Sequence, residues 1–411
     1  MGPRVPARCP TVLSRTSEGS RLKLTVVRRI RADHPVSRPG RPIDVIRQLA
    51  IVSSLAPVRL CSTIPCYRTG ALDIPRHMTH YARPDFEIDE LIHEYRLGSV
   101  RNVRRVGGGT VNKNWIVRTA KETVVVRSVA KELSSSDIKF EHSFIRALGR
   151  CRFPYQLPQP LRTRTGRTFV MKNGAYVWLY KYIEGSNYQP SREEIIAEIA
   201  RAMATAHQAA RRFSLRNVKY TPLALQDLWL VHMLRHWQLK LCESSDQRYR
   251  FFTARVQECI GILEALRCTR YHALPRLPIH GDLHRANVVF SGGRLSGIID
   301  FGHCCSDTAI RDITVALRNE CANREHRFKL DLEAARSFVR IYHQISPLSP
   351  EEVELIPAVA IAESADLFWW RIFQIASKQT KVESIDTADQ PFKSLQWYYR
   401  HQEEIARALL V

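Results

Sequence analysis

The sequence predicts an α+β protein of two lobes, a small β-rich N-lobe followed by a larger, mainly helical C-lobe. Three observations carry this reading. The runs VRNVRRV (100–106), NWIVRTA (114–120) and TVVVRSV (123–129) follow one another as short β-type segments with turn residues between them. Two more such runs, TFVMK (168–172) and AYVWLYKYI (175–183), close the first half. Beyond Gly185 the apolar spacing is mostly helical to the C-terminus, interrupted by one strand-loop-strand stretch from Ile279 to Phe301.

Composition sets the outer bounds. A chain of 411 residues has room for two domains, or for one two-lobed domain with an extension. The formal net charge is +22, and fourteen basic against four acidic residues precede Met78, so nearly half the excess lies in the first fifth of the chain. Residues 1–77 are rich in Arg, Pro and Ser and lack sustained periodicity, which predicts a disordered basic extension. A targeting peptide, a nucleic-acid-binding tail and a start placed upstream of Met78 all account for it, and the last is the reading favoured here. The expected division is then 1–77 extension, 78–183 nucleotide-binding N-lobe and 184–411 C-lobe. No interleaved basic and aromatic motif points to specific nucleic-acid binding. The ten cysteines show no C-x-x-C spacing, and no apolar run approaches the roughly 20 residues of a membrane span. A reduced, cytoplasmic protein is expected.

Taken in order, FEIDELIHEYRLG (86–98) carries Phe86, Leu91, Ile92 and Tyr95 at helical spacing, with Gly98 as its stop. After the first three strands, an amphipathic helix is expected from Asp137 to Leu148, with Phe140, Phe144, Ile145 and Leu148 on one face.

The strongest chemical signal is IHGDLHRANVVF (279–290) followed by LSGIIDFG (295–302). Asp282 precedes Asn287 by five residues and Asp300 by eighteen. Phosphoryl transfer needs a carboxylate beside the acceptor hydroxyl and oxygen ligands for a magnesium ion on the phosphates. Asp282 suits the first role, Asn287 and Asp300 the second. The order H-x-D-x-x-x-x-N, then D-F-G, matches the protein-kinase catalytic loop and metal motif. NVVF and LSGIID read as strands joined by a Gly292-Gly293 turn, a hairpin that would bring Asn287 and Asp300 to neighbouring strand ends.

A phosphate cradle is expected upstream, at Gly107, Gly108, Gly109 and Thr110 between two strands. Arg127 closes the apolar run VVV where the kinase pattern places a lysine, and Glu141 on the next helix is its expected partner. Lys131 is a rival cation.

These residues together resemble the aminoglycoside phosphotransferase and choline kinase superfamily. The distinguishing feature is His-Gly-Asp-Leu-His joined to Ile-Ile-Asp-Phe-Gly, and the resemblance covers roughly residues 85–400. It implies a bilobal protein-kinase-like fold with ATP and Mg2+ between the lobes. It makes Asp282 the catalytic base, Asn287 and Asp300 the metal ligands and Gly107 to Thr110 the loop over the phosphates. It places the backbone of Lys181 and Ile183, in YKYIEG (180–185), near adenine. His280, His284 and His303 are expected to be structural, as is Asp312, and His207 to be core packing. The stretch 348–378 is similar to the homoserine kinase type II branch, where Glu363, Asp366 and Arg371 would line an acceptor pocket. The expected activity is transfer of the γ-phosphate to a small-molecule hydroxyl, on an amino acid or amino alcohol such as homoserine. An aminoglycoside or sugar acceptor, and a non-catalytic kinase-fold nucleotide-binding protein, are the alternatives.

Overall fold

The computed structural model describes residues 86–106, 113–130, 134–185, 190–214, 219, 223, 229–242, 247–266, 270–376 and 385–410. Residues 1–77, Met78, Gly107 to Thr110 and Lys131 lie outside them.

The chain opens with α1 (Ile88–Glu94), whose Ile88, Leu91 and Ile92 are buried. It ends four residues before the glycine expected to stop it, because Arg96 already takes a left-handed conformation (φ 59°) and Gly98 a second one (φ 80°). The strands β1 (Val100–Val106), β2 (Lys113–Thr119) and β3 (Thr123–Ala130) then form an antiparallel meander. Next comes α2 (Ser135–Arg150), started by a capping box between Ser134 and Asp137. The strands β4 (Val170–Lys172) and β5 (Ala175–Lys181) complete a five-stranded sheet of order β1-β2-β3-β5-β4. Side chains alternate across a strand, so β3 divides its apolar run between two faces. Val124 and Val126 pack with Leu91, Ile92 and Trp115 on the α1 side. Val125 and Val129, which share their face with Arg127, pack with Ile138 of α2 and with Trp178 and Tyr180 of β5.

The C-lobe begins with α3 (Arg192–Ala210), α4 (Trp229–Cys242), α5 (Gln247–Ala265) and the short α6 (Arg270–Ala273). Four short strands follow: β6 (Arg276–Ile279), β7 (Val288–Ser291), β8 (Arg294–Ile298) and β9 (Cys305–Thr308). Helices α7 (Ala309–Glu320), α8 (Leu332–Ile345), α9 (Pro350–Ala376), α10 (Ile385–Arg400) and α11 (Gln402–Leu409) finish the lobe. β6 pairs with β9, and β7 with β8, both antiparallel.

The β7–β8 hairpin turns on Gly292 and Gly293, whose φ of 56° and 79° are the two positive values a type I′ turn requires. Its far end is closed by the Ile299 N–H, which donates to the Asn287 carbonyl at 2.9 Å. The metal-motif phenylalanine, Phe301, is buried and meets Phe144 of α2 edge-on at 5.7 Å. Burial of a side chain of that size stabilises by roughly 1.5–3 kcal/mol, so the helix of the N-lobe and the metal motif are joined by packing. Among the described residues, no helix is long and apolar enough to cross a membrane.

Candidate active site

The chain leaves β6 at Ile279 and turns through His280 and Gly281. Asp312, in the first turn of α7, accepts the backbone N–H of His280 at 2.8 Å and of Gly281 at 2.7 Å. It also meets His207 Nε2 at 3.1 Å, and His207 Nδ1 meets the Tyr342 hydroxyl at 2.8 Å. Burial pushes the Asp312 carboxyl up, but the His207 bond and the surrounding donors hold it below the usual carboxylate range. His207 is therefore buried as expected, yet its role is to hold Asp312 rather than to fill space. Gly281 has φ 79°, and a Cβ there would lie 2.3 Å from the His303 carbonyl oxygen, so only glycine fits.

His280 completes the turn. Its Nε2 lies 3.0 Å from the Ile299 carbonyl, and its Nδ1 accepts from the Asp282 N–H at 3.3 Å. Those partners assign a neutral ring with the proton on Nε2, and burial lowers its pKa in agreement.

Asp282 is buried at the mouth of this loop. The Asn287 amide donates to the Asp282 carbonyl at 2.8 Å and to its Oδ2 at 3.2 Å. His284 caps the 3-10 turn Arg285–Asn287 by accepting the Ala286 N–H on Nδ1 at 3.3 Å, which puts its proton on Nε2, 3.5 Å from Asp282 Oδ2. Burial pushes the Asp282 carboxyl up, but the His284 hydrogen bond and the imidazoles of His303 and His280 bring it below its ordinary value. Asp282 is thus an oriented, ionised carboxylate, a weak base and a good hydrogen-bond acceptor. At the far end of the loop, Arg285 is clamped to Glu320 in the last turn of α7 at 2.7 Å.

Asp300 sits where β8 gives way to the metal motif, in a left-handed conformation (φ 59°, ψ 63°) rare for a non-glycine residue. Its Oδ1 meets Arg127 Nη2 at 2.8 Å. Burial opposes ionisation of Asp300, but the Arg127 guanidinium and then His303 hold its pKa down at about 2. A Cβ at Gly302 would lie 2.6 Å from Arg127 Nη2, so a larger residue would displace the guanidinium from this position. Arg127 also lies over the Trp178 ring, 5.5 Å from its centroid.

The expected Arg127–Glu141 pair is corrected. Arg127 is paired with Asp300. Glu141 is buried close enough to act on both through its charge, without an ion pair to Arg127 within 4 Å among the described residues. An arginine is longer than a lysine, and its fork reaches past the helix to the metal motif. Lys219 also reaches the metal motif. Its Nζ donates to the Gly302 carbonyl at 2.9 Å, and its own carbonyl accepts from Ser306 N–H at 2.9 Å. Nothing in the sequence around Lys219 announces a contact made more than eighty residues downstream.

The metal expectation can be tested against the donors present. The Asn287 amide nitrogen is committed to Asp282 and Asp300 Oδ1 to Arg127, which leaves the Asn287 amide oxygen and Asp300 Oδ2 as the free donors of that pair. Both are hard oxygen ligands. Among the described residues no three His, Cys, Asp or Glu side chains group to hold a metal ion unaided. Asn287 and Asp300 fit a cation arriving with phosphate oxygens, for which one or two protein ligands suffice.

At the lobe junction, the Tyr182 N–H donates to the Thr123 carbonyl at 3.0 Å. Strand alternation therefore turns the Lys181 backbone groups away from β3. The Lys181 side chain is largely exposed and pairs with Glu122 at 3.1 Å. Ile183 packs so closely against β8 that a Cβ at Gly297 would lie 2.8 Å from it.

On α9, Glu363 accepts from Arg311 Nε at 2.7 Å and lies 3.9 Å from Arg318 Nη1. It is engaged, not open to an acceptor. Arg371 donates to Gln374 at 3.0 Å. Asp366 differs from both: its Oδ1 is buried without a hydrogen-bond partner. Burial and then the Glu363 charge raise its pKa to about 7, against the pull of Arg311 and Arg318.

Comparison with known proteins identifies the family. Residues 102–348 match the phosphotransferase enzyme family. A homoserine kinase of Rhizobium etli (strain CIAT 652) is 27% identical over 289 residues, which is 69% of this chain and 83% of that protein. Among solved structures, a microcompartment-associated aminopropanol kinase superposes with a TM-score of 0.58 at 17% identity, covering 78% of this chain and 99% of that one. Amicoumacin kinase hAmiN in complex with AMP-PNP, Ca2+ and Ami superposes with a TM-score of 0.54 at 17% identity, covering 77% and 93%. The two-lobed, kinase-like architecture expected from the sequence is the architecture these structures share.

Proposed function

Because the chain belongs to the phosphotransferase enzyme family, we propose that it moves the γ-phosphate of ATP, with magnesium, to the hydroxyl of a small amino acid or amino alcohol such as homoserine. The observation that carries the reading is the placement of three oxygen-bearing side chains by one short segment: Asp282 and Asn287 bonded to each other, and Asp300 brought beside them by the β7–β8 hairpin.

Each residue then has a task set by its surroundings. Asp282 accepts the hydrogen bond of the acceptor hydroxyl and aims its oxygen at the phosphorus. Phosphoryl transfer runs through a loose transition state that asks little of base strength, so an ionised carboxylate held by His284 and Asn287 suffices. It receives the proton as the new P–O bond forms and the bond to the nucleotide leaving oxygen breaks. Asn287 and Asp300 would hold magnesium, which neutralises charge developing on the phosphate oxygens. Arg127 lies at the same carboxylate and supplies a fixed positive charge on the nucleotide side. The Lys181 and Ile183 backbone would face adenine, and Gly107 to Thr110 would cover the phosphates. The homoserine kinase relatives and the aminopropanol kinase support an acceptor bearing both an amine and a hydroxyl. Free cysteines, the adjacent Cys304 and Cys305 among them, suit a reducing cytoplasm.

The test is acceptor-dependent ADP release by the purified protein with ATP and magnesium, across hydroxylated amino acids, amino alcohols, sugars and aminoglycosides. One acceptor should stimulate release, and Asp282→Ala should abolish that stimulation. Nucleotide binding without stimulation by any acceptor would favour a binding protein instead.

A further inference from the structure

We propose that the outer side of α2, with the loop that follows it, is a docking surface for the phosphate backbone of a nucleic acid, bound without regard to sequence. Six cations make it: Lys139, Arg146 and Arg150 on α2, and Arg162, Arg164 and Arg167 on the loop. The surface is separate from the catalytic loop and does not depend on which acceptor is phosphorylated.

α2 has two opposed sides. Phe140, Phe144, Ile145 and Leu148 are buried in the large core, and Phe144 meets Phe301 of the metal motif. Lys139, Ser143, Arg146 and Arg150 recur at i, i+4, i+7 and i+11, which puts them within about 60° of arc on the other side. From Lys139 to Arg150 the stripe runs about 16 Å along the helix. Five of the six cations are exposed, and Arg146 is partly so.

These charges stand together and are not neutralised. Among the described residues none of the six has an acid within 4 Å, whereas Arg201, Arg235 and Arg270 of the C-lobe each hold one. Two of the guanidiniums are instead fixed by uncharged partners. Arg162 donates to the Gly166 carbonyl at 2.8 Å, and Arg164 Nη2 donates to His93 Nε2 at 2.9 Å, an atom that accepts only when it carries no proton. Such bonds orient a cation without cancelling its charge. Burial, then Arg162 and Arg150, push the Arg146 pKa down, as like charges crowded together should. The fold keeps this repulsion, and a polyanion laid across it would relieve it.

The surroundings select the partner. Protein interfaces centre on a patch that is apolar and poor in charge, and a membrane-surface site adds inserted apolar side chains to its cations. Among the described residues the exposed large apolar side chains are Val106, Met171, Tyr182 and Leu410, none of them on α2 or on the loop 151–167. Nucleic-acid interfaces, by contrast, are polar and strongly positive. Five of the six cations are arginines, whose planar forks match phosphate oxygens in pairs. A duplex carries one charge per about 1.7 Å of axis, so about nine phosphates pass along a stripe of that length, more than a nucleotide or a free phosphate supplies. Backbone contacts of this kind carry no sequence information.

The experiment measures binding of the full chain to a short labelled DNA duplex of mixed sequence, by fluorescence anisotropy over a series of salt concentrations. Wild type should bind with a steep salt dependence. The triple variant Arg146→Ser, Arg150→Ser, Arg162→Ser should bind at least about tenfold more weakly, with the slope of log affinity against log salt lower by about three. The control Arg201→Ser, Arg235→Ser, Arg270→Ser removes the same charge from ion-paired positions and should stay within about twofold of wild type. Residues 1–77 are present in every variant, so their charge cannot produce the difference. Should the first variant not fold, Lys139→Gln with Arg167→Gln, both at exposed positions, takes its place, with a slope lower by about two. No binding by wild type, or equal binding by wild type and the stripe variant, overturns the inference. An equal loss in both triple variants overturns it too, because net charge alone would then account for binding. So does tighter binding of wild type to phosphatidylserine vesicles or to a poly-glutamate peptide than to the duplex.

Discussion

The catalytic loop and the middle of α9 both bury charged and polar side chains, and they treat them in opposite ways. In the loop, Asp312 accepts two backbone N–H groups and faces a histidine, His280 uses both ring nitrogens, and the Asn287 amide is bonded twice. On α9, two indoles, one carboxylate oxygen and the facing Arg318 Nη1 have no hydrogen-bond partner. A fully bonded buried network is rigid, and a partly bonded one costs free energy until something completes it. One region is finished before any substrate arrives. The other keeps buried polar atoms that nothing in the fold completes.

The largest expected effect tests whether the finished region is also the chemical one. Asp282→Ala should lower turnover by about 10²–10⁴-fold, the usual worth of a positioned acid or base, with nucleotide affinity nearly unchanged. Measured turnover within tenfold of wild type would remove Asp282 from the reaction. Asp312→Ala should act on the fold instead. It strips two loop N–H groups and His207 of their carboxylate, and losing one partner of a buried charged network costs about 3–5 kcal/mol. Urea unfolding should show that loss. Unchanged stability would mean that the loop does not depend on its anchor.

The contrast between the regions also explains what was legible in the sequence. Asp282, Asn287 and Asp300 lie within nineteen residues, and the Gly-Gly turn fixes how their segment folds back, so local geometry sufficed. Gly281 and Gly302 were visible only as parts of a motif. The reason Gly281 must be glycine, the His303 carbonyl, and the closeness of Gly302 to the Arg127 guanidinium come from packing. Arg127 is legible as the strand cation, but sequence order points to Glu141 as its partner while the longer guanidinium reaches Asp300. Lys219, and the clamp of Arg285 on Glu320, join residues far apart in the chain and left no pattern to read. Glu363 and Asp366 looked alike in sequence. Only the positions of Arg311 and Arg318 show that one is already neutralised and the other is not.

A smaller effect probes the link between the lobes. Asp300 has its pKa held at about 2, with Arg127 the strongest cause opposing burial. A depressed carboxylate stabilises the fold above its unfolded pKa, near 4, and that contribution is lost as pH falls towards about 2. Arg127→Met should therefore lower stability at pH 7 by about 2 kcal/mol or less, with the gap to wild type closing in acid. A gap independent of pH would assign the loss to packing on Trp178 rather than to the charge pair.

The smallest effect belongs to the unfinished region and has the opposite sign. Burial and Glu363 raise the Asp366 pKa to about 7, while Arg311 and Arg318 pull it down. In the unliganded protein the carboxyl is therefore protonated below neutrality and ionised above it. Because its folded pKa exceeds the unfolded value, stability should fall as pH rises from about 4 to 7 and then level off. Asp366→Asn, which keeps the shape and removes the titration, should abolish that slope in the free energy of unfolding measured by urea at about pH 4 to 8. A slope that survives the substitution would place the titrating group elsewhere, and the catalytic loop, with Asp282 and its ring of histidines, becomes the place to look for it.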